Sequence, residues 1–346
     1  MKNQLLTIFA ILFLSSICLA DDYVATLSDK SGVVYLRDKN NIPYGEAKKG
    51  IKLKVGNWIK TGNDGWAILS LVDGSKITLA NNTELEITEF LINKNSRQGV
   101  FSVSQGKLRA TIVRMSQDRV DYKVKSPTSV AGIKGTEFMM LSRGEANVFF
   151  GNEGVAEIYG NVEQAKPLTV DTMVQNTRGF VPTDPVKVEQ GTSLDVAKKH
   201  LSKITAAKPP EDWEISNNLP NIIARWNINY GHYLADSGKY DEALYVFQIA
   251  LDLTEKPEIR SDARLERGAV YARFLKNPEA ALAEYLLIIE EYPEVPQREL
   301  ALFYTAMTLY ELKFFHKAKE RLLQYKKEYP DGKYIGNVET MLNILK

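Results

Sequence analysis

The sequence holds a single cysteine, Cys18, close to its start. If the chain is cut after Ala20, the mature protein has no cysteine. Structural disulfides, thiolate catalysis and cysteine metal sites are then excluded. Histidine is scarce too: His200, His232 and His316 are the three, far apart, with no H-E-x-x-H pair. No metal site and no cofactor are therefore expected. There is no G-x-S-x-G elbow and no Walker-type loop, so neither a serine nucleophile nor a phosphate cradle is marked. An excess of one charge is also missing. Lys and Arg number 44 against 43 Asp and Glu, and this near-neutral balance argues against nucleic acid as the main partner. Long apolar runs are absent after the first residues. The one run, Leu5 to Leu14 broken by Thr7, is shorter than the roughly 20 residues a membrane-spanning helix needs.

That run follows Lys2 and precedes Cys18-Leu19-Ala20, which puts small residues where a signal peptidase reads. Residues 1–20 therefore read as a secretory signal cut before Asp21, with the product exported to the periplasm or cell envelope and not membrane-spanning. Two alternatives stay open. The segment is retained as an anchor, or Cys18 is acylated, although Ile17 stands where lipoproteins usually carry a small residue.

The 346 residues suggest two parts. The first is β-rich and is organised around Gly56 to Ile87. Trp66 to Val72 alternates as a strand, and Asp73-Gly74 suits a two-residue hairpin. Ser75 to Ala80 returns, Asn81-Asn82 turns, and Leu85 and Ile87 resume the alternation. Short strands continue through Tyr23–Leu27, Gly32–Leu36, Gly99–Val103, Lys107–Val113, Val120–Lys125, Glu137–Leu141, Ala146–Phe150, Gly154–Tyr159 and Leu168–Val174. Such spacing implies a sandwich, a jelly roll or a similar closed sheet. Glu137 reads as a solvated strand carboxylate. Lys107 with Arg109, and Lys123 with Lys125, alternate on strand faces, with Arg114 and Arg119 between. They suggest a cationic strip for an anionic envelope polymer, or an ordinary solvated face balanced by Asp118 and Asp121.

The stretch from Gly56 resembles the FecR domain, a bacterial extracytoplasmic β-domain. The family run is matched at Gly56, Ile59, Thr61, Gly62, Gly65, Ala67, Leu69, Leu71, Asp73, Gly74, Ser75, Ile77, Leu79, Thr83 and Leu85. A second family run is matched by Ser126-Pro127-Thr128-Ser129-Val130-Ala131-Gly132-Ile133-Lys134-Gly135-Thr136-Glu137-Phe138, and Gly106 to Ala110 resembles the strand between. The resemblance covers about 26–160 and implies a non-catalytic, extracytoplasmic β-domain. FecR regulators carry a cytoplasmic segment and a membrane span before this domain and relay receptor occupancy to a sigma factor. Nothing here resembles that cytoplasmic segment, so direct sigma-factor control is not expected.

After Lys208-Pro209-Pro210-Glu211-Asp212 the alternation stops and a helical period begins. Gly238 to Leu244 with Phe247 and Ala250 resembles the second helix of a tetratricopeptide repeat. Ala281 with Tyr285, Ile288 and Pro293 resembles it again, as does Ala318 with Leu322, Tyr325 and Pro330. Gly231, Ala269 and Ala306 fall where small residues let paired helices approach. The reading is a multi-domain β plus α chain: signal 1–20, FecR-like domain 21–190, helical linker 191–217, and an α-helical tetratricopeptide solenoid 218–346 ending in a capping helix. Each part is expected to fold on its own core.

The repeat resemblance implies a concave surface lined by the first helix of each pair. The matching positions are Arg225, Ile228, His232 and Ala235, then Ala263, Glu266, Val270 and Arg273, then Leu300, Phe303, Met307 and Tyr310. Arg225, His232, Glu266, Arg273, Phe303, Met307 and Tyr310 are the candidate partner-binding residues. The alternative is that these side chains only pack neighbouring helices. Ile228 and His232 stand where carboxylate-clamping members carry Lys and Asn, so that clamp is not implied. The expected function is non-enzymatic: an envelope scaffold binding other envelope proteins, or a sensor accessory in a FecR-type relay. An enzyme acting on wall polymer has no motif in its favour.

Overall fold

The computed structural model describes residues 23–38, 43–114 and 119–346. The expected signal segment, Cys18 and Asp118 lie outside the described residues. The strands, in chain order, are β1 Ala25–Ser31, β2 Val34–Arg37, β3 Gly45–Glu46, β4 Lys52–Leu53, β5 Trp58–Thr61 and β6 Trp66–Leu71. β7 Lys76–Leu79, β8 Glu84–Asn93, β9 Ser96–Thr111, β10 Arg119–Lys125, β11 Val130–Ile133 and β12 Glu137–Arg143 follow. β13 Ala146–Glu153, β14 Ala156–Tyr159, β15 Lys166–Leu168, β16 Thr172–Thr177 and β17 Val186–Lys187 complete the set.

The strands form two sheets that share β9. One runs β4-β1-β6-β7-β9-β12-β13-β16-β17, antiparallel throughout. The other runs β3-β2-β5-β8-β9-β10-β11-β14-β15, with β9 and β10 parallel. The switch falls at Gly106. Residues up to Gln105 pair with β8, whereas Gly106 to Thr111 pair with β12 and Leu108 to Thr111 with β7. Gly106 has φ +126°, and a Cβ there would lie 2.4 Å from the Thr83 backbone. A side chain would block the crossover.

Between the sheets lies the first core, which includes Leu69, Ile77, Leu79, Leu85, Phe101, Leu108, Tyr122, Phe138, Met140, Phe149 and Val174. The strand alternation then supplies a second apolar face. Met139, Leu141, Val148, Phe150 and Met173 point out of the sandwich and meet a layer of helices. The structure thus has three layers: sheet, sheet, helices.

The helices are α1 Ser193–Ile204, α2 Glu214–Asp236, α3 Tyr240–Leu253, α4 Pro257–Ala269, α5 Pro278–Glu291, α6 Gln297–Glu311, α7 Phe315–Glu328 and α8 Ile335–Ile344. Thr192 caps α1, its hydroxyl accepting from Asp195 N at 3.2 Å. From α2 to α7 they stack as antiparallel pairs. The close approaches are made by glycines: a Cβ on Gly231 would lie 2.5 Å from Phe247, and one on Gly268 2.3 Å from Tyr285.

Gly268, and not Ala269, is therefore the contact residue of the second pair, where Ala269 is only half-buried. A π-helical turn, Val270–Phe274, explains the difference. From contact residue to key alanine, Gly268 to Ala281 is one residue longer than Gly231 to Ala243 or Ala306 to Ala318. The wide turn absorbs the extra residue. Ala263 and Val270, aligned above with the groove, are consequently buried in the helix packing.

The sandwich and the later helices each have a cluster of their own, but a further core is shared at their junction. Leu194, Ala197, Leu201 and Ile204 of α1, Leu219 and Ile223 of α2, and Ile249 and Leu253 of α3 share one cluster with the outer face of the sheet. Five large sheet side chains, Met139, Leu141, Val148, Phe150 and Met173, depend on that cover. At about 1.5–3 kcal/mol each, they contribute on the order of 10 kcal/mol, as much as a whole domain's net stability. Polar contacts fix the register. Gln175 and Asn227 exchange two amide hydrogen bonds at 2.6 and 3.0 Å, both side chains buried. Arg178 grips Asp252 through two hydrogen bonds of 2.9 Å, and the Thr177 hydroxyl donates to the same carboxylate at 2.7 Å.

Candidate functional site

The Asp73-Gly74-Ser75 signature builds a hub, not a two-residue hairpin. Leu71 N donates to Ser75 O at 2.8 Å and Gly74 N to Leu71 O at 3.0 Å, leaving a three-residue loop with Gly74 at φ +90°. The Asp73 carboxylate is fully buried. It accepts from Ser75 N and Oγ at 3.0 Å each, and from the Tyr122 hydroxyl at 2.7 Å. Arg97 lies 3.7 Å away and balances its charge. Burial, then Asp73, raises the Tyr122 phenol far above its ordinary range, so it stays a donor. This aspartate ties the two sheets together across the core.

The expected cationic strip is divided. Because β9 changes sheets at Gly106, Lys107 and Arg109 face the helices, while Lys123 and Lys125 of β10 face outward from the other sheet. Lys107 is buried and donates to Asn81 Oδ1 at 2.9 Å. Burial, then the nearby Arg143, pushes its ammonium down to about 8. Arg109 closes the C-terminal end of α1: its Nη2 donates to the Ser202 carbonyl at 2.9 Å and the Ser202 hydroxyl at 2.7 Å. Cations suit that end of a helix. Glu137 is not a solvated carboxylate. It accepts from Thr111 at 2.9 Å, Asn152 at 3.0 Å and Arg109 at 3.4 Å, and so aims Arg109 at the helix.

Lys123 and Lys125 do line an open groove of about 1320 Å³. Arg114, Arg119 and Lys134 add positive charge, and Asp121, Glu157 and Glu163 partly offset it. Lys123 lies 4.0 Å from Asp121.

The repeat candidates fall into two clefts between successive first helices. Arg225 and Glu266 line one, with Asp262, which Arg225 approaches at 3.5 Å. His232 joins it, its Nδ1 3.0 Å from Glu266. That hydrogen bond raises the imidazole above its usual range, and Arg273 opposes the rise. Arg273, Met307 and Tyr310 line the second cleft, with Tyr285 and Tyr304. Phe303 belongs to neither. Its ring is stacked on Tyr334 with centroids 4.6 Å apart and is covered by the C-terminal segment.

Among the described residues no group of three or more His, Cys, Asp or Glu is placed to hold a metal, and no helix is long and apolar enough to cross a membrane. No curated protein matches the chain. Two crystal structures described as a putative anti-sigma factor from Parabacteroides distasonis, at 1.65 and 2.50 Å resolution, resemble it. Each is 15% identical, covers 37% of this chain and has a TM-score of 0.31. The chain spans 59% of their length. Residues 57–173 match the FecR protein family model. They run from the turn before β5 into β16 and include the Asp73 hub and the Gly106 crossover, so the chain carries an N-terminal FecR-like domain.

Proposed function

We propose that this chain is an exported, non-enzymatic binding protein of the bacterial cell envelope that acts as a sensor accessory in a FecR-type relay. The observation that carries this reading is the FecR match over residues 57–173, in which both sequence signatures serve the frame. Asp73 joins the sheets, and Gly135, at φ +81°, turns the chain from β11 into β12. Neither signature presents reactive groups, which favours binding over catalysis. The test is a crosslinking pull-down from an envelope fraction with the intact protein. A relay component recovers a receptor or transporter, and recovery of neither overturns the reading.

A second reading is a scaffold in which α2 to α7 are three tetratricopeptide repeats that hold an envelope protein segment. The two clefts favour it, because Arg and Tyr are enriched among residues that dominate binding energy. Arg273→Ala combined with Tyr310→Ala should then weaken partner recovery and leave helicity unchanged. Recovery equal to that of the parent removes this reading. The groove around Lys123 and Lys125 is the corresponding surface for an anionic polymer, and Lys123→Glu with Lys125→Glu should abolish any retention on such a polymer.

A further inference from the structure

A cleft of about 340 Å³ opens at the seam between the sandwich and α2, and its wall carries two cations and no carboxylate. The cations are Lys107 and Arg143. Gln105, Ser142, Ser216 and Asn217 add neutral polar groups, the last two from the first turn of α2. Lys107 is 7% exposed. Its ammonium has three donors, and the Asn81 side chain takes one of them. No carboxylate among the described residues pairs with either cation, and Arg143 disfavours the charge on Lys107.

Two like charges held together, one of them buried, are costly unless a counter-charge is supplied. Elsewhere in this protein buried charges are matched, as Asp73 is by Arg97 and Glu284 by Arg264 and Arg267. Among the described residues the seam is the exception, and its shape is that of a recess. Its volume lies at the lower end of small-ligand sites, about 300–1,000 Å³. A planar guanidinium beside an ammonium with spare donors is complementary to an oxyanion carrying two charges.

We propose that this cleft binds a phosphate dianion, free or as the monoester of a small molecule, between Lys107 and Arg143. The ligand bridges β9 and β12 to the start of α2, and so links the FecR-like domain to the root of the helical array. The site is independent of whether the chain serves a relay or a scaffold. Binding also draws the lysine toward its charged form, and near pH 8 the complex takes up protons as it forms.

The experiment is calorimetric titration of the full chain with inorganic phosphate and, separately, with glycerol 3-phosphate, in buffers of different ionisation enthalpy near pH 8. Chloride and acetate at matched ionic strength are the controls. One-to-one saturable binding with proton uptake is expected. Arg143→Gln, at a half-exposed position, should weaken it about tenfold or more while the unliganded melting temperature stays the same. Lys107→Met should abolish both binding and proton uptake. Binding of the monoester but not of inorganic phosphate supports the site and assigns it an organic ligand. Absence of saturable binding to either compound overturns the proposal. So does an equal response to chloride or acetate, or an Arg143→Gln variant that binds as the parent does.

Discussion

Replacing Lys107 by methionine should make the unliganded protein more stable. The lysine's ordinary value of 10.5 is held down to about 8, chiefly by burial and then by Arg143. Keeping it charged at neutral pH therefore costs about 3 kcal/mol. Methionine has a similar length and no charge. It gives up the hydrogen bond to Asn81, worth about 1 kcal/mol, but Asn81 keeps the Ser216 hydroxyl as a donor. The net expectation is a gain of about 2 kcal/mol near pH 7. The gain has a pH signature. In the unfolded chain the lysine holds its proton to about 10.5, whereas the folded chain releases it near 8. Between those values the unfolded state binds more protons, so the parent gains stability as pH rises. At about pH 9.5 its penalty has fallen to roughly 1 kcal/mol and the advantage of the variant has nearly gone. Urea unfolding of both proteins from about pH 7 to pH 9.5, in buffers free of phosphate, measures this. A variant less stable than the parent at pH 7, or a gain that persists unchanged to pH 9.5, refutes the reasoning.

Four further outcomes are expected. Asp73→Asn removes the buried carboxylate that Ser75, Tyr122 and Arg97 share and should cost about 3–5 kcal/mol, read as a lowered denaturation midpoint. Gly268→Ala puts a methyl 2.3 Å from the Tyr285 ring and should cost about 1–3 kcal/mol. Gly336→Ala in α8, where an added Cβ would meet no described atom beyond its own helical turn within 4 Å, should instead stabilise by about 0.5–1 kcal/mol. Proteolysis within the exposed Lys208–Asp212 segment should nick the chain, yet the pieces should elute together from a sizing column, because the cleaved loop joins elements that share one core.

The sequence made the strands and helix pairs legible wherever one face is apolar. Val120, Tyr122 and Val124 alternate as expected and are all buried. The third layer was written there too, in Phe138-Met139-Met140-Leu141 and Val148-Phe149-Phe150. Unbroken apolar runs on strands mean that both faces are covered. Reading them only as a strand pair left the second face without a partner, and hence gave separable domains. The division of the basic residues was hidden for a different reason. Alternation gives the face of a strand but not the sheet it joins, and Gly106 sends half of β9 elsewhere. The one-residue slip from Ala269 to Gly268 came from the π-helical turn, which has no composition cue in Val270–Phe274. Phe303 has the aromatic character of a binding residue, and only the fold reveals Tyr334 lying over it.

The dependence of the sheet on the helices has a consequence for how the chain is made. Synthesis delivers every strand, through β17, before the first residue of α1. During that interval a nascent sandwich presents Met139, Leu141, Val148, Phe150 and Met173 as a bare apolar face, with two sheet edges beside it. Such surfaces pair with one another readily, and transient exposure of this kind is where holding chaperones act. The hazard ends only when α1, α2 and α3 arrive, so the order of the genetic message sets how long the protein remains sticky.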